Sequence, residues 1–562
     1  MTPHATPATV PSVPSQTGLS ETVTRVPIDI RRFPWIKRLS ADYACDYARV
    51  AEFFAGDPRD PAAWRDAIAR AQRYPRQRDA IADIVAAQQR ARTAPPEAVA
   101  AGLLLRDPRA VAVVTGQQAG LFGGPLYTLH KALTALRLAE RTAAEHQVPT
   151  VAIFWIDAED HDWNEVKACT VLDGSLSPVR IALNDPPGAG DGPVAAVQLD
   201  DSVTSALDLL AATLPPSEFT PSLFEGLRKA YAPGVGMAVA FARWLESLLG
   251  PRGLVVFDAS DRAAKPLASG VFAREIEYIG ETSHLAAATG SALTALGYHA
   301  QVTPHEGHAA LFQIDGTRVG VRVEDGLLKL GDTNATKESI LELVRTDPGT
   351  FSPNVLLRPV VQDTLFPTVC YVGGPSEIAY LGQLRNVYAA FGVPMPLLEQ
   401  RVSATILDSN AMRFLQRHEL SLDALKAQDE AALNQLLKAQ IPPAVDACLE
   451  DAARAIAERL ESLAEAVAEL DPTLEGATRS ALGRMQDDLK KLQGKIIQAA
   501  KRKDETLRRQ FVHAQAQAFP GGQPQEREIG LVYFVNKYGS VLVDRLNEEL
   551  PLDHGSHWVV TI

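Results

Sequence analysis

The sequence predicts an α/β protein: a parallel, doubly wound sheet that carries insertions, followed by an antiparallel helical coiled coil. Three observations predict it. The first is a strand–loop–helix–strand order near residues 111–163. Val113-Val114-Thr115 runs into a glycine-rich loop, Gly116 to Gly124, a helical pattern fills Tyr127 to His146, and Val151 to Ile156 is a second apolar run. The second is that further apolar runs read as strands buried on both faces, as a sheet covered by helices requires. The third is a change of period near the C-terminus, where apolar residues step by three and four within highly charged flanks.

In chain order, residues 1 to about 20 are rich in Pro, Thr and Ser and read as a disordered tail. Asp42 to Arg92 reads as helices punctuated by Tyr43, Tyr47, Phe53, Phe54 and Trp64. Val111 to Thr115, Val151 to Ile156, Gly253 to Asp258, Thr368 to Pro375 and Val393 to Leu398 are five candidate strands. Long gaps follow His161 and Asp258. The first holds a Gly/Pro-rich stretch, Asp185 to Pro193, and helical patterns; the second holds hairpin-like alternation from Ala310 to Leu330. Both read as insertions, at about 172–250 and 285–350, in a core spanning 21–404. Leu449, Ala453, Ile456, Leu460, Leu463, Val467 and Leu470 form one heptad seam. Asp471-Pro472 breaks it, and Leu482, Met485, Leu489, Leu492, Ile496 and Ala499 form a second. A coiled-coil domain is therefore expected over 405–519, with 520–562 packing back on the core through Leu531 to Tyr538 and Trp558 to Ile562.

A chain of 562 residues needs more than one core. Its net charge of −13 argues against nucleic acid as a partner. Cys45, Cys169, Cys370 and Cys448 lie far apart with no metal-ligand spacing, so no zinc site is suggested and a reducing cytoplasm fits. No apolar run reaches membrane-spanning length and no signal-peptide core is present, so no membrane partner is expected.

Three clusters could carry chemistry, each at the carboxyl end of a predicted strand, where open α/β sheets bind ligands. In the first, Gly116, Gly120, Gly123 and Gly124 allow close ligand approach, and the following helix offers free N–H groups to an anion. Neither a Walker loop nor a GxGxxG is present. His130 and Lys131 could reach a phosphate or carboxylate. In the second, Glu159-Asp160-His161-Asp162 places a histidine among carboxylates, suited to a general base or, through its oxygens, to a cation such as Mg²⁺. The third combines Asn354, Arg358, Gln362 and Asp363 with Gly373, Gly374, Glu377 and Tyr380. Arg358 suits two-point binding of a carboxylate or phosphate. All three are expected to converge on one pocket, with His161 within about 15 Å of Gly120 or Gly374.

The strings TGQQAGLFGGPLYTLHKALTA, FWIDAEDHDWNEV and FSPNVLLRPVVQDTLFPTVCYVGGPSEIAYLGQL closely resemble the cysteine ligase family of bacillithiol biosynthesis. YACDYARVAEFFAGDPRD, GLVVFDASD, GVPMPLLEQRVSAT and QEREIG extend the resemblance, in order, over most of the chain. The resemblance implies a Rossmann-like core with connecting-peptide insertions and a coiled coil, a layout similar to class I aminoacyl-tRNA synthetases. It implies the last step of bacillithiol synthesis, in which cysteine is joined through its carboxyl to the amine of glucosaminyl-malate. ATP, with Mg²⁺, is the activating group that this fold suggests by analogy. His161 is then the expected general base, with Asp160 and His130 as catalytic partners and Arg358 as the anion clamp. Gln117, Gln118, Tyr127 and Trp155 are expected binding residues in the same strings, beside Gly116, Gly120, Gly124, Lys131, Glu159, Asp162, Gln362, Asp363, Gly373, Gly374, Glu377 and Tyr380. A homodimer through the coiled coil is expected. The alternative is a non-catalytic nucleotide- or sugar-binding scaffold that acts with a partner.

Overall fold

The computed structural model describes residues 25–562 apart from 188, 306, 325–326, 429–430, 440–442 and 504, so the N-terminal tail expected over residues 1–20 lies outside the described residues. At its centre is a parallel five-stranded sheet of β1 (Val111–Gln117), β2 (Thr150–Ile156), β3 (Val255–Asp258), β4 (Thr368–Gly373) and β5 (Leu397–Gln400), in the order β5-β4-β1-β2-β3. This is a doubly wound, Rossmann-like arrangement. Both faces are buried because both sets of alternating side chains are apolar. Val111 and Val113 face one core layer; Ala112 and Val114 face the other. Helix α1 (Leu126–His146) covers the first layer against β1 and β2. Helices Arg38–Cys45, Pro61–Arg73 and Arg78–Arg92 flank the sheet; the first and last feed the second layer, where Tyr43 meets Phe54 edge-on at 4.5 Å.

The fifth strand lies further along than its apolar run, Val393 to Leu398, predicts. Pro394 and Pro396 have no N–H to give a ladder, so pairing starts at Leu397. The first insertion comprises the hairpin Ala168–Leu172/Pro178–Ala182 and helices Ser202–Thr213, Thr220–Ala230 and Met237–Leu249. The second holds an antiparallel sheet: His308–Asp315, Thr317–Glu324 and Leu327–Leu330 run consecutively, with Thr333–Ala335 and Phe351–Pro353 at its edges.

After Ser403 the chain changes character. Two long helices, α2 (Pro443–Ala468) and α3 (Thr473–Lys503), pack along one another as a coiled-coil hairpin. Asp471 accepts hydrogen bonds from Thr473 N and Oγ1, which caps the second helix after the Pro472 break. At the base, Phe414, Leu415, Leu433, Leu437, Leu507 and Phe511 form a small separate core. The chain then returns: Leu531–Tyr538 joins the main core, and Ser556–Thr561 pairs with Arg25–Asp29 and Ser403–Leu407 in a three-stranded sheet. Among the described residues, no helix is long and apolar enough to cross a membrane.

Candidate active site at the sheet's switch point

Strand order reverses between β1 and β4, so the loops after these strands turn to opposite faces and leave a crevice. A cavity of about 350 Å³ opens there. Its walls come from Gly116, Gln117 and Gln118 after β1, Gly374, Ser376 and Glu377 after β4, Tyr127 and Lys131 on α1, and Arg358, Gln362 and Asp363 on the helix Arg358–Leu365. Trp155, Asp157, Tyr371 and Tyr380 complete its interior; Glu165, Arg401 and Arg527 also line it.

The glycine-rich loop works differently from the expected phosphate cradle. Phe122, Gly123 and Gly124 all have positive φ (54°, 96° and 69°), which folds the chain back tightly. The fold-back receives the C-terminal region: Leu126 N–H donates to Ile529 O at 2.9 Å, and Leu531 N–H donates to Gly124 O at 3.0 Å. The start of α1 is therefore closed by protein, and Gly120 and Gly124 lie behind the cavity wall. Gly116 is needed at the wall itself, where a Cβ would meet Trp155 O at 2.7 Å.

Charged groups in the cavity are mostly paired. Buried Lys131 donates to Gly116 O and Gln117 Oε1, each at 2.8 Å, and meets Glu377 Oε2 at 2.5 Å. Burial pulls its pKa down and Glu377 opposes that. Glu377 also accepts from Tyr371 OH at 2.7 Å and Gly374 N–H at 2.8 Å. Arg358 Nη1 meets Asp157 Oδ2 at 2.5 Å, while its Nε is buried without a partner. Burial pushes the Asp157 carboxyl up, and Arg358 opposes it. Asp363 accepts from Tyr388 OH at 2.5 Å and Gln362 Nε2 at 3.1 Å; burial pushes its pKa up to about 6. Gly373, at the end of β4, accepts Arg401 N–H at 2.9 Å.

The acidic cluster does not sit inside the cavity. Glu159 is buried in an ion pair with Lys265. Asp162 caps the short helix Trp163–Val166 by accepting from Glu165 N–H. Asp160 Oδ2 accepts from Gln118 Nε2 at 3.0 Å and so touches the cavity wall from outside. His161, 58% exposed, lies beyond it, with Nδ1 3.1 Å from Asp160 Oδ1 and 3.4 Å from Arg318 Nη1. His130 is buried away from the cavity with Nδ1 3.2 Å from Glu526; burial lowers its pKa. Among the described residues, no group of three or more His, Cys, Asp or Glu converges as metal ligands.

Two family models divide the chain. "Bacillithiol biosynthesis BshC, N-terminal Rossmann-like domain" matches residues 25–402, and "Bacillithiol biosynthesis BshC, C-terminal coiled-coil domain" matches 404–562. The chain belongs to the BshC family. Relatives bearing the name "Putative cysteine ligase BshC" include one from Salinibacter ruber, 35% identical over 93% of this chain and 96% of its own length. One from Chlorobaculum tepidum is 34% identical over 79% and 82%, and one from Symbiobacterium thermophilum is 33% identical over 92% and 96%. The protein is thus a ligase of bacillithiol biosynthesis with Rossmann-like and coiled-coil domains.

Several residues of this BshC site escape sequence reasoning. Asp157 directly follows β2, and the rule that singled out strand ends could have found it. Arg401, which lies within the GVPMPLLEQRVSAT string but has no role assigned there, forms a buried two-point pair with Glu526, at 2.9 and 2.7 Å, across the boundary between the two BshC domains. Only the QEREIG string hinted at Glu526 and Arg527. Arg318, 7% exposed on its side chain, reaches toward Asp160 from the second insertion. Nothing in its alternating strand set it apart.

Proposed function

We propose that this ligase joins the carboxyl of L-cysteine to the amine of glucosaminyl-malate, the last step of bacillithiol synthesis. The reading rests on family membership and on one observation above all: a polar cavity of substrate size at the switch point. In the reaction a C–N bond forms, the bond from the acyl carbon to its activated oxygen breaks, and the amine loses a proton. The amine must be neutral to attack, so a base is needed. His161 is the proposed base, linked to the cavity through Asp160 and Gln118, with Asp160 holding the imidazole. Arg358 is the proposed anion clamp; its free Nε keeps a donor for substrate after Asp157 is paired.

ATP is the proposed activating substrate, with Mg²⁺ accompanying its phosphates; it would supply the leaving group on the cysteine carboxyl. A small recess next to the cavity shares Arg401 and Arg527 with it and contains Trp35, so a guanidinium and an aromatic face are available for such a group. The proposed setting is the cytoplasm, and the proposed assembly is a homodimer through the coiled coil.

The test is mass spectrometry of purified protein mixed with cysteine, glucosaminyl-malate, ATP and Mg²⁺. Bacillithiol that depends on all three substrates is expected. Absence of product under these conditions would overturn the assignment, and formation without ATP would remove the nucleotide from it.

A further inference from the structure

We propose that Glu165 and Arg527 bind the ammonium and the carboxylate of a zwitterionic substrate. The inference rests on the cavity being the ligase's substrate site, and it names the charge pattern which that site reads.

Four cationic side chains line the cavity: Lys131, Arg358, Arg401 and Arg527. Three are neutralised within the protein, Lys131 by Glu377, Arg358 by Asp157 and Arg401 by Glu526. Arg527 has no ion pair or side-chain hydrogen bond among the described residues. Four carboxyl groups line the same walls. Asp157 and Glu377 are paired, and Asp363 is hydrogen-bonded by Tyr388 and Gln362. The Glu165 carboxylate has no partner among the described residues. One free charge of each sign therefore remains.

The two free groups come from opposite parts of the chain. Glu165 stands on the short helix after β2, and Arg527 on the turn Gln525–Glu528 in the C-terminal domain. Both line the same cavity beside Tyr127 and Lys131, and each acts electrostatically on these two residues. Burial and the neighbouring Asp162, Asp160 and Asp157 push the Glu165 carboxyl up, and a bound ammonium would relieve that repulsion. Arg527 also lines the adjoining recess, so a carboxylate held there lies where the two spaces meet. A guanidinium fork suits that group better than an ammonium would.

Two substrates of the proposed reaction carry this pattern: the α-amino acid and the amino sugar bearing a dicarboxylate. Calorimetric titration of the full chain separates them. The probes are L-cysteine, cysteamine (no carboxylate), 3-mercaptopropionate (no ammonium), glucosaminyl-malate and its N-acetylated form. Arg527→Gln is expected to weaken the zwitterion about ten- to a hundredfold and to abolish its preference over the carboxylate-free probe. Glu165→Gln should do the same against the ammonium-free probe. The series that responds, cysteine or amino sugar, identifies the ligand. Both residues keep solvent-accessible surface and neither belongs to the apolar core, so these variants are expected to fold. Affinities within twofold of wild type for both series in both variants would overturn the inference while leaving turnover, and the ligase reading, intact. Failure of the wild type to bind either zwitterion would also overturn it. Charge-dependent binding without bacillithiol formation would retain the pair and remove the ligase assignment.

Discussion

His161 and Asp363 show how position decides what an ionisable side chain can do. His161 stands outside the cavity wall, and its imidazole is oriented by Asp160. If it takes the amine proton, His161→Ala should lower kcat about 10²-fold with little change in substrate affinity, within the usual range for a general base. Near-normal turnover would instead hand the proton to a carboxylate inside the cavity. Asp363 is the opposite case, a carboxyl held at about 6 by burial although three side chains stabilise its charge. Its folded pKa lies above the ordinary value of 3.8. The folded state therefore keeps a proton that the unfolded chain releases, and this contribution to stability is lost as pH rises from about 4 to about 6. Asp363→Asn should then stabilise the protein by up to ~3 kcal/mol at about pH 7.5 and hardly at all at about pH 4. Urea denaturation at the two values checks it; an equal effect at both would refute the titration. His130 marks a limit of sequence reading. Its place early in a helix after a glycine loop matched a ligand-binding histidine, but which face of that helix it occupied depended on Glu526, far along the chain.

Strands are the most legible elements, because an apolar run bounded by glycine or a carboxylate has few other uses in a chain of this composition. The sheet order was also within reach, since a βαβ unit with insertions restricts how parallel strands can follow one another. Less legible was the partner of the glycine-rich loop. Gly530 packs beneath it, with its N–H donating to Thr170 O at 2.8 Å and its Cα facing Cys169 Sγ. The glycines thus serve a contact between distant segments, which local sequence does not encode. A Cβ at Gly530 would overlap Cys169 Sγ and come within 3.6 Å of Gly124 O. Gly530→Ala is therefore expected to destabilise the protein by about 1–3 kcal/mol through overpacking. Replacing Cys169 by alanine in the same chain should return part of the loss, because the clashing sulfur is gone. Thermal denaturation of the single and double variants decides it; no recovery in the double variant would place the strain elsewhere.

The whole molecule carries a hairpin that leaves several of its own apolar residues exposed. Along α2 and α3, Ala464 is 5% exposed, but Leu463, Met485 and Leu492 are each 46% exposed; Leu470, expected in the first seam, instead falls in the turn after α2 ends at Ala468 and is 84% exposed. Two helices have one mutual seam, and heptad residues that turn away from it meet water. A second copy related by a twofold axis would cover such a surface with its own identical patch. The charged flanks of both helices would stay solvated at the rim. Replacing Leu489 and Leu492 with charged residues is expected to give monomers by light scattering where the wild type is a dimer; a wild-type monomer at micromolar concentration would refute the assembly. The cavity adds a second expectation. One chain brings both of its domains to the walls, Arg401 from the first and Arg527 from the second, and the pair Arg401–Glu526 locks the two domains together there. Monomeric variants should therefore keep turnover close to that of the wild type. If turnover instead falls with the loss of the dimer, the coiled coil acts on the site from a distance, and the most direct route is the base core around Phe511, which joins the hairpin to the strand that follows Arg401.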